Sequence, residues 1–150
     1  MEIRTDYLTC VFDPVAFRTR VNEAIGLLTE FRKHTPFDAI AFTGVSGAAL
    51  AFPLSFALGI PLLCVRKQGE SSHSPYKVEG DYSAERYVIV DDFISSGSTV
   101  NRIQDDIESE ISGVPELVGL YLYKDAGNYS WTDIHNNEIP VLPTEPQAEA

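Results

Sequence analysis

The sequence predicts an α/β fold, a parallel sheet flanked by helices on both faces. Short, mainly apolar runs recur at 38–42, 60–67, 86–90 and 116–124. Stretches with helical spacing alternate with them. The runs are continuous rather than alternating apolar with polar, so each strand is expected to be covered on both sides.

The first helix is expected over 14–33, where Val21, Ala24, Ile25, Leu28 and Phe31 fall at helical spacing among Arg, Asn and Glu. Asp13 before Pro14 supplies an N-cap carboxylate and a proline at the first helical position. "DAIAF", 38–42, suits a buried strand, and "TGVSG" breaks it. "AALAFPLSFALG", 48–59, reads as a helix ending at Gly59, with a kink expected at Pro53. "IPLLCVRK", 60–67, is the next buried strand, and the polar stretch 68–83, with Gly and Pro, is loop-like. "RYVIV", 86–90, is a strand. Val100, Ile103, Ile107 and Ile111 mark a helix with an acidic outer face, and "ELVGLYLYK", 116–124, is the last strand. One domain is expected over 1–139, followed by a flexible tail, rich in Pro, Glu and Ala, over 140–150.

Of the 150 residues, 44% are hydrophobic and 22% charged, enough apolar side chains for a real core. The net charge is −11, from 22 acidic and 11 basic residues. Such a surface repels phosphate backbones, so neither nucleic acid nor an anionic membrane is expected as a partner. Local basic groups and backbone amides can still bind a small anion. Cys10 and Cys64 have no metal-ligand spacing and are read as buried thiols. His34 and His135 have no partners at ligand spacing, and His73 is read as a surface histidine. No apolar run reaches membrane-spanning length, and the N-terminus shows no signal pattern, so a cytoplasmic protein is expected.

The chemistry concentrates in "VIVDDFISSGSTV", 88–100. A strand leaving the core at Val90 delivers Asp91 and Asp92 to the carboxyl edge of the sheet, where ligands of such folds bind. A loop of small residues then enters a helix. Gly97 has no Cβ to block backbone amides from turning inward. Ser95, Ser96, Ser98 and Thr99 add hydroxyls, and the helix N-terminus adds its positive dipole end. This is an anion cradle, without the Lys of a Walker loop. The two carboxylates would repel phosphate, but suit sugar hydroxyls or a Mg²⁺ ion held by oxygen. Phosphate, diol and divalent metal together describe a ribose 5-phosphate.

An apolar strand, two acids and a hydroxyl–glycine loop resemble the phosphoribosyl-pyrophosphate motif of type I phosphoribosyltransferases. "FTGVSGAALAFPLSFALGIPLLCVRKQG" resembles the region around that family's pyrophosphate loop. "LGIPLLCVRKQG" and "YKVEG", 76–80, look closest to adenine phosphoribosyltransferases. The resemblance covers roughly 38–125. Two departures stand out. Loop 43–47 carries no Arg or Lys, where many relatives have one. Position 95 is Ser, where hypoxanthine-guanine enzymes place Asp.

The resemblance implies a Mg²⁺-dependent transferase that moves ribose 5-phosphate from phosphoribosyl pyrophosphate to a nucleobase and releases pyrophosphate. Adenine is the first candidate base and orotate the next. Ser96, Gly97, Ser98 and Thr99 would bind the 5-phosphate, with Ser95 at the loop's mouth. Asp91 and Asp92 would face the ribose hydroxyls and, through water, the metal. Thr43, Gly44, Val45 and Ser46 would offer backbone donors to the diphosphate, and Arg66 and Lys67 would neutralise it. Loop 68–80 would be the lid, with Lys77 or Glu79 acting at closure. Tyr129 and Trp131 would lie where relatives build a hood from the chain ends, and would either stack a base or simply pack there. Tyr121 and Tyr123 are read as packing the last strand. A homodimer is implied as well. Two other readings compete: a non-catalytic regulator that senses phosphoribosyl pyrophosphate, and a transferase for an unusual acceptor. A phosphoribosyl-pyrophosphate synthetase would need paired domains, for which 150 residues are too few.

Overall fold

Asp13 accepts the Val15 amide at 3.1 Å and starts helix α2, Pro14–His34, directly after the short α1, Thr9–Phe12. The structure, a computed structural model, describes residues 1–67, 69, 75–124 and 130–143. Strand β1, Ala39–Phe42, is buried throughout, as its unbroken apolar run requires. Helix α3 spans Gly44–Leu58, so it begins before the expected 48–59. Gly44, at φ +67°, turns the chain off β1 at once. Gly47 lets the first turn press on the sheet, since a Cβ there would lie 3.1 Å from Phe42 Cβ and from the Val90 carbonyl. The helix runs through Pro53, held down by buried Leu50, Ala51 and Leu54.

Strands β2, Leu62–Val65, and β4, Arg86–Asp91, flank β1 in parallel. Helix α4, Ser98–Glu110, returns the chain to β5, Glu116–Leu122, parallel to β4. Three strands escaped the sequence reading. Val78–Gly80 forms β3 inside the expected loop 68–83, antiparallel to β2. Ser130–Thr132 and Glu138–Leu142 form the hairpin β6–β7, with β7 parallel to β5. The seven-stranded sheet has the order β3-β2-β1-β4-β5-β7-β6. The expected parallel sheet flanked by helices forms the centre of the fold, with an antiparallel strand added at each edge. Short edge strands carry too few residues to show a period. Residues 140–142, expected in the tail, are ladder residues of β7.

Successive strand residues point to opposite faces. Ile40, Phe42, Val88, Val90, Tyr121 and Tyr123 pack with Leu28, Leu50 and Leu54 beneath α2 and α3. Ala39, Ala41, Leu63, Tyr87, Ile89 and Leu122 pack with Ile103, Ile107 and Ile111 of α4 on the other side. Each fully buried large side chain contributes about 1.5–3 kcal/mol by leaving water. Cys10 and Cys64 form no disulfide and are half-buried rather than buried. Among the described residues, no helix is long and apolar enough to cross a membrane.

Candidate active site

The carboxyl ends of β1, β2 and β4 converge, so the loops that follow them share one edge of the sheet. Between them lies a cavity of about 630 Å³, within the range of small-molecule sites. Its walls include Thr43, Ser46, Lys67, Asp91, Asp92 and the whole loop Ser95–Thr99. These are residues from three separate stretches of the sequence.

Asp91 and Asp92 end β4 almost buried, each 6% exposed. Asp91 accepts hydrogen bonds from the Ser46 hydroxyl at 3.2 Å and from the Asp92 amide at 2.9 Å. Asp92 accepts the Phe93 amide at 2.8 Å. Burial pushes the Asp91 carboxyl up to about 7; the Asp92 amide opposes this, and the neighbouring Asp92 charge adds to it. The pair is an anionic pocket that favours a cation or hydroxyl donors. It cannot by itself enclose a metal: among the described residues no group of three or more His, Cys, Asp or Glu is arranged to hold one. Two carboxylates fit an ion that keeps most of its water and takes further oxygens from a ligand.

The loop before α4 turns on Gly97, whose φ of +83° favours glycine. Gly97 at the N-cap has no side chain to cap α4, so beyond the Ser98 amide its first-turn amides stay available to an anion. The Ser96 and Ser98 hydroxyls lie 2.9 Å apart, and the Ser98 amide donates to Ser96 Oγ at 3.3 Å. Trp131 of β6 lies against this loop: a Cβ on Gly97 would come within 2.1 Å of its Cη2. Trp131 is not among the residues lining the cavity. Of its two expected roles, stacking a base and packing, the contact with Gly97 is a packing contact that braces the loop. Tyr129 lies outside the described residues.

The opposite wall begins at Thr43. Its hydroxyl donates to the Val65 carbonyl at 2.6 Å and accepts from the Arg102 guanidinium at 3.1 Å. Having those partners, it does not cap α3. Lys67 lies across the start of α3, with Nζ 2.9 Å from where a Gly44 Cβ would be. Gly44 thus stays in contact with the site through Lys67, whereas Val45 points outward, 72% exposed. Tyr123 donates to the Ser46 carbonyl at 2.6 Å and pins this loop to β5. Burial raises the Tyr123 phenol, which keeps it a neutral donor.

Three further expected site residues, like Gly44, Val45 and Trp131, lie apart from the cavity walls. Arg66 donates to Glu79 through Nε at 2.7 Å and through a second guanidinium nitrogen. Lys77 pairs with buried Asp106 of α4 at 2.9 Å, which raises its pKa. Arg66, Lys77 and Glu79 therefore tie the β2–β3 hairpin together and to α4, instead of facing the cavity. The expected lid is described only at 69 and 75–80, and His73 lies outside the described residues.

Sequence reasoning missed Tyr7, Phe93 and Arg102, all of which line the cavity. The Tyr7 and Phe93 rings meet edge to face, 5.4 Å apart, and bring the N-terminal segment over the mouth. Phe93 sits within the motif, directly after the acid pair, and that position was its signal. Tyr7 and Arg102 carried none, because their approach depends on tertiary packing.

No protein-family profile matches the chain. An adenine phosphoribosyltransferase of Treponema denticola is 30% identical over 111 residues, which span 62% of this chain and 58% of that protein. Another, from Desulforamulus reducens, is 31% identical over 146 residues, 83% of this chain and 82% of that protein. The crystal structure of an orotate phosphoribosyltransferase from Aeropyrum pernix superposes with a TM-score of 0.62, at 13% identity, over 94% of this chain and 77% of that one. That likeness shows the fold.

Proposed function

The chain belongs to the type I phosphoribosyltransferase family, and from that premise we propose that it transfers ribose 5-phosphate from phosphoribosyl pyrophosphate to a nucleobase. One observation carries the reading: a buried acid pair and an uncapped helix N-terminus share a single cavity with Thr43, Ser46 and Lys67. A sugar bearing phosphate at one end and diphosphate at the other matches that spread of groups.

The geometry supports the following roles. The Ser95–Thr99 loop holds the 5-phosphate. Asp91 and Asp92 accept the ribose hydroxyls. Ser46 and Lys67 face the diphosphate. In the reaction the C1–O bond to diphosphate breaks and its electron pair leaves with the diphosphate. A bond from the base nitrogen to C1 forms, and the displaced N–H proton goes to water. C1 passes through an oxocarbenium-like state, so the site must stabilise the leaving charge and exclude water. Mg²⁺ bound near Asp91 and Asp92 would supply charge neutralisation for the diphosphate. The anionic, buried pair supports this cofactor.

The acceptor would meet Tyr7 and Phe93, two nearly perpendicular rings, either of which offers an apolar face for a heterocycle to stack on. Adenine stands first, supported by the names of the two similar proteins, and orotate second. A homodimer fits a stripe on α3: Val45, Phe52 and Phe56 lie on one face and are 72%, 58% and 92% exposed. Phe56→Glu is expected to shift the protein to monomer in sedimentation velocity; an unchanged dimer would move the interface elsewhere. Cys10 and Cys64 outside any disulfide fit the cytoplasm.

The deciding experiment is pyrophosphate release from phosphoribosyl pyrophosphate and Mg²⁺ with adenine, guanine, hypoxanthine, xanthine, orotate and uracil in turn. Release with one base identifies the acceptor. Saturable binding of phosphoribosyl pyrophosphate with no release for any base would instead favour a sensor or an unusual acceptor.

A further inference from the structure

Loop 43–47 carries no basic residue, yet the cavity wall beside it holds a guanidinium. Arg102 stands one helical turn after Ser98 on α4, so the two share a face, and both line the cavity. From there Arg102 crosses to the opposite wall. It donates to Thr43 Oγ1 at 3.1 Å and reaches the Arg66 carbonyl at 3.5 Å. Both acceptors are uncharged oxygens. Among the described residues, no carboxylate pairs with Arg102, whereas Arg66 meets Glu79 and Lys77 meets Asp106. Among the described residues, Arg102 thus has only uncharged oxygens as hydrogen-bond acceptors at a half-buried wall of the cavity, beside the uncapped start of α3.

We propose that Arg102 is a second side-chain cation that grips the diphosphate beside Lys67, supplying from α4 the charge that loop 43–47 lacks. This rests on the phosphoribosyl-pyrophosphate reading of the cavity. A single face of α4 then serves both ends of the ligand, with Ser98 toward the 5-phosphate and Arg102 toward the diphosphate. The planar fork suits bidentate contact with phosphate oxygens, which an ammonium cannot reproduce. The bond to Thr43 is the resting contact of the free site.

The test uses two probes, inorganic pyrophosphate and ribose 5-phosphate, each titrated with Mg²⁺ by calorimetry. Arg102→Gln is expected to weaken pyrophosphate binding about 10- to 100-fold, the usual cost of losing a charged hydrogen bond. Ribose 5-phosphate should stay within about twofold of the unsubstituted protein, against roughly tenfold for pyrophosphate, since its cradle is backbone and hydroxyl. Arg102→Lys should fall between the two for pyrophosphate and guards against a folding defect in the glutamine variant. Unchanged pyrophosphate binding, or equal weakening of both probes, would overturn the assignment. If the unsubstituted protein bound neither probe, the reading of the cavity itself would fall, and this inference with it.

Discussion

The loop after β4 and the hairpin after β2 are both polar, and both were expected to touch the ligand, yet they behave differently. In the β4–α4 loop every residue from Ser95 to Thr99 lines the cavity. In the β2–β3 hairpin Arg66, Lys77 and Glu79 are engaged with other side chains. The first loop presents backbone amides at a helix start, and local sequence dictates their direction. The second relies on long charged side chains, whose direction depends on whichever partner the fold brings near. A motif predicts a site well when the backbone carries it.

The largest effect should come from the acid pair. Asp91→Asn with Asp92→Asn is expected to lower turnover about 100- to 1000-fold, measured as pyrophosphate release. The same change should stabilise the metal-free protein. The folded pKa of Asp91 lies above its ordinary value, so ionisation costs stability as pH rises from acid toward 7. The advantage of Asp91→Asn in urea unfolding should therefore grow over that interval. An advantage that shrinks instead would mean that the pair is already neutralised.

Gly97→Ala probes the same loop from below. The positive φ and the Trp131 ring at 2.1 Å both oppose a Cβ. A loss of about 1–3 kcal/mol in urea unfolding is expected. Trp131→Leu should show less than additive cost when combined with it, because removing the ring removes part of the clash. Full additivity would detach Trp131 from the loop.

The hairpin should respond weakly. Lys77→Ala and Glu79→Gln are each expected to change turnover by no more than about threefold, because neither side chain lines the cavity. A loss above roughly tenfold in turnover would break the contrast and show that this segment swings into the cavity during reaction.

The smallest effect lies at the far end of the molecule. His135, exposed on the β6–β7 turn, pairs with Glu108 of α4, which raises its pKa. A raised histidine stabilises the fold fully below its ordinary pKa, and that contribution disappears as pH rises through the folded value. His135→Ala should flatten the decline in melting temperature from about pH 6.5 upward and leave turnover alone. An unchanged slope would mean that the pair contributes nothing.

Much of this protein was legible in the chain itself. Continuous apolar runs determined β1, β2, β4 and β5, because a strand covered on both faces needs apolar residues throughout. Asp13-Pro14 located the start of α2, and "VIVDDFISSGSTV" located the acid pair and the glycine turn into α4, since their geometry is set within a few residues. Tertiary structure alone decided the rest. β3 and β6 are edge strands three residues long, with no period to read. Trp131 braces Gly97, Tyr7 meets Phe93, and Arg102 crosses to Thr43 because the sheet order brings distant segments together. A side chain's charge is written in the sequence, but the group that charge meets is chosen by packing.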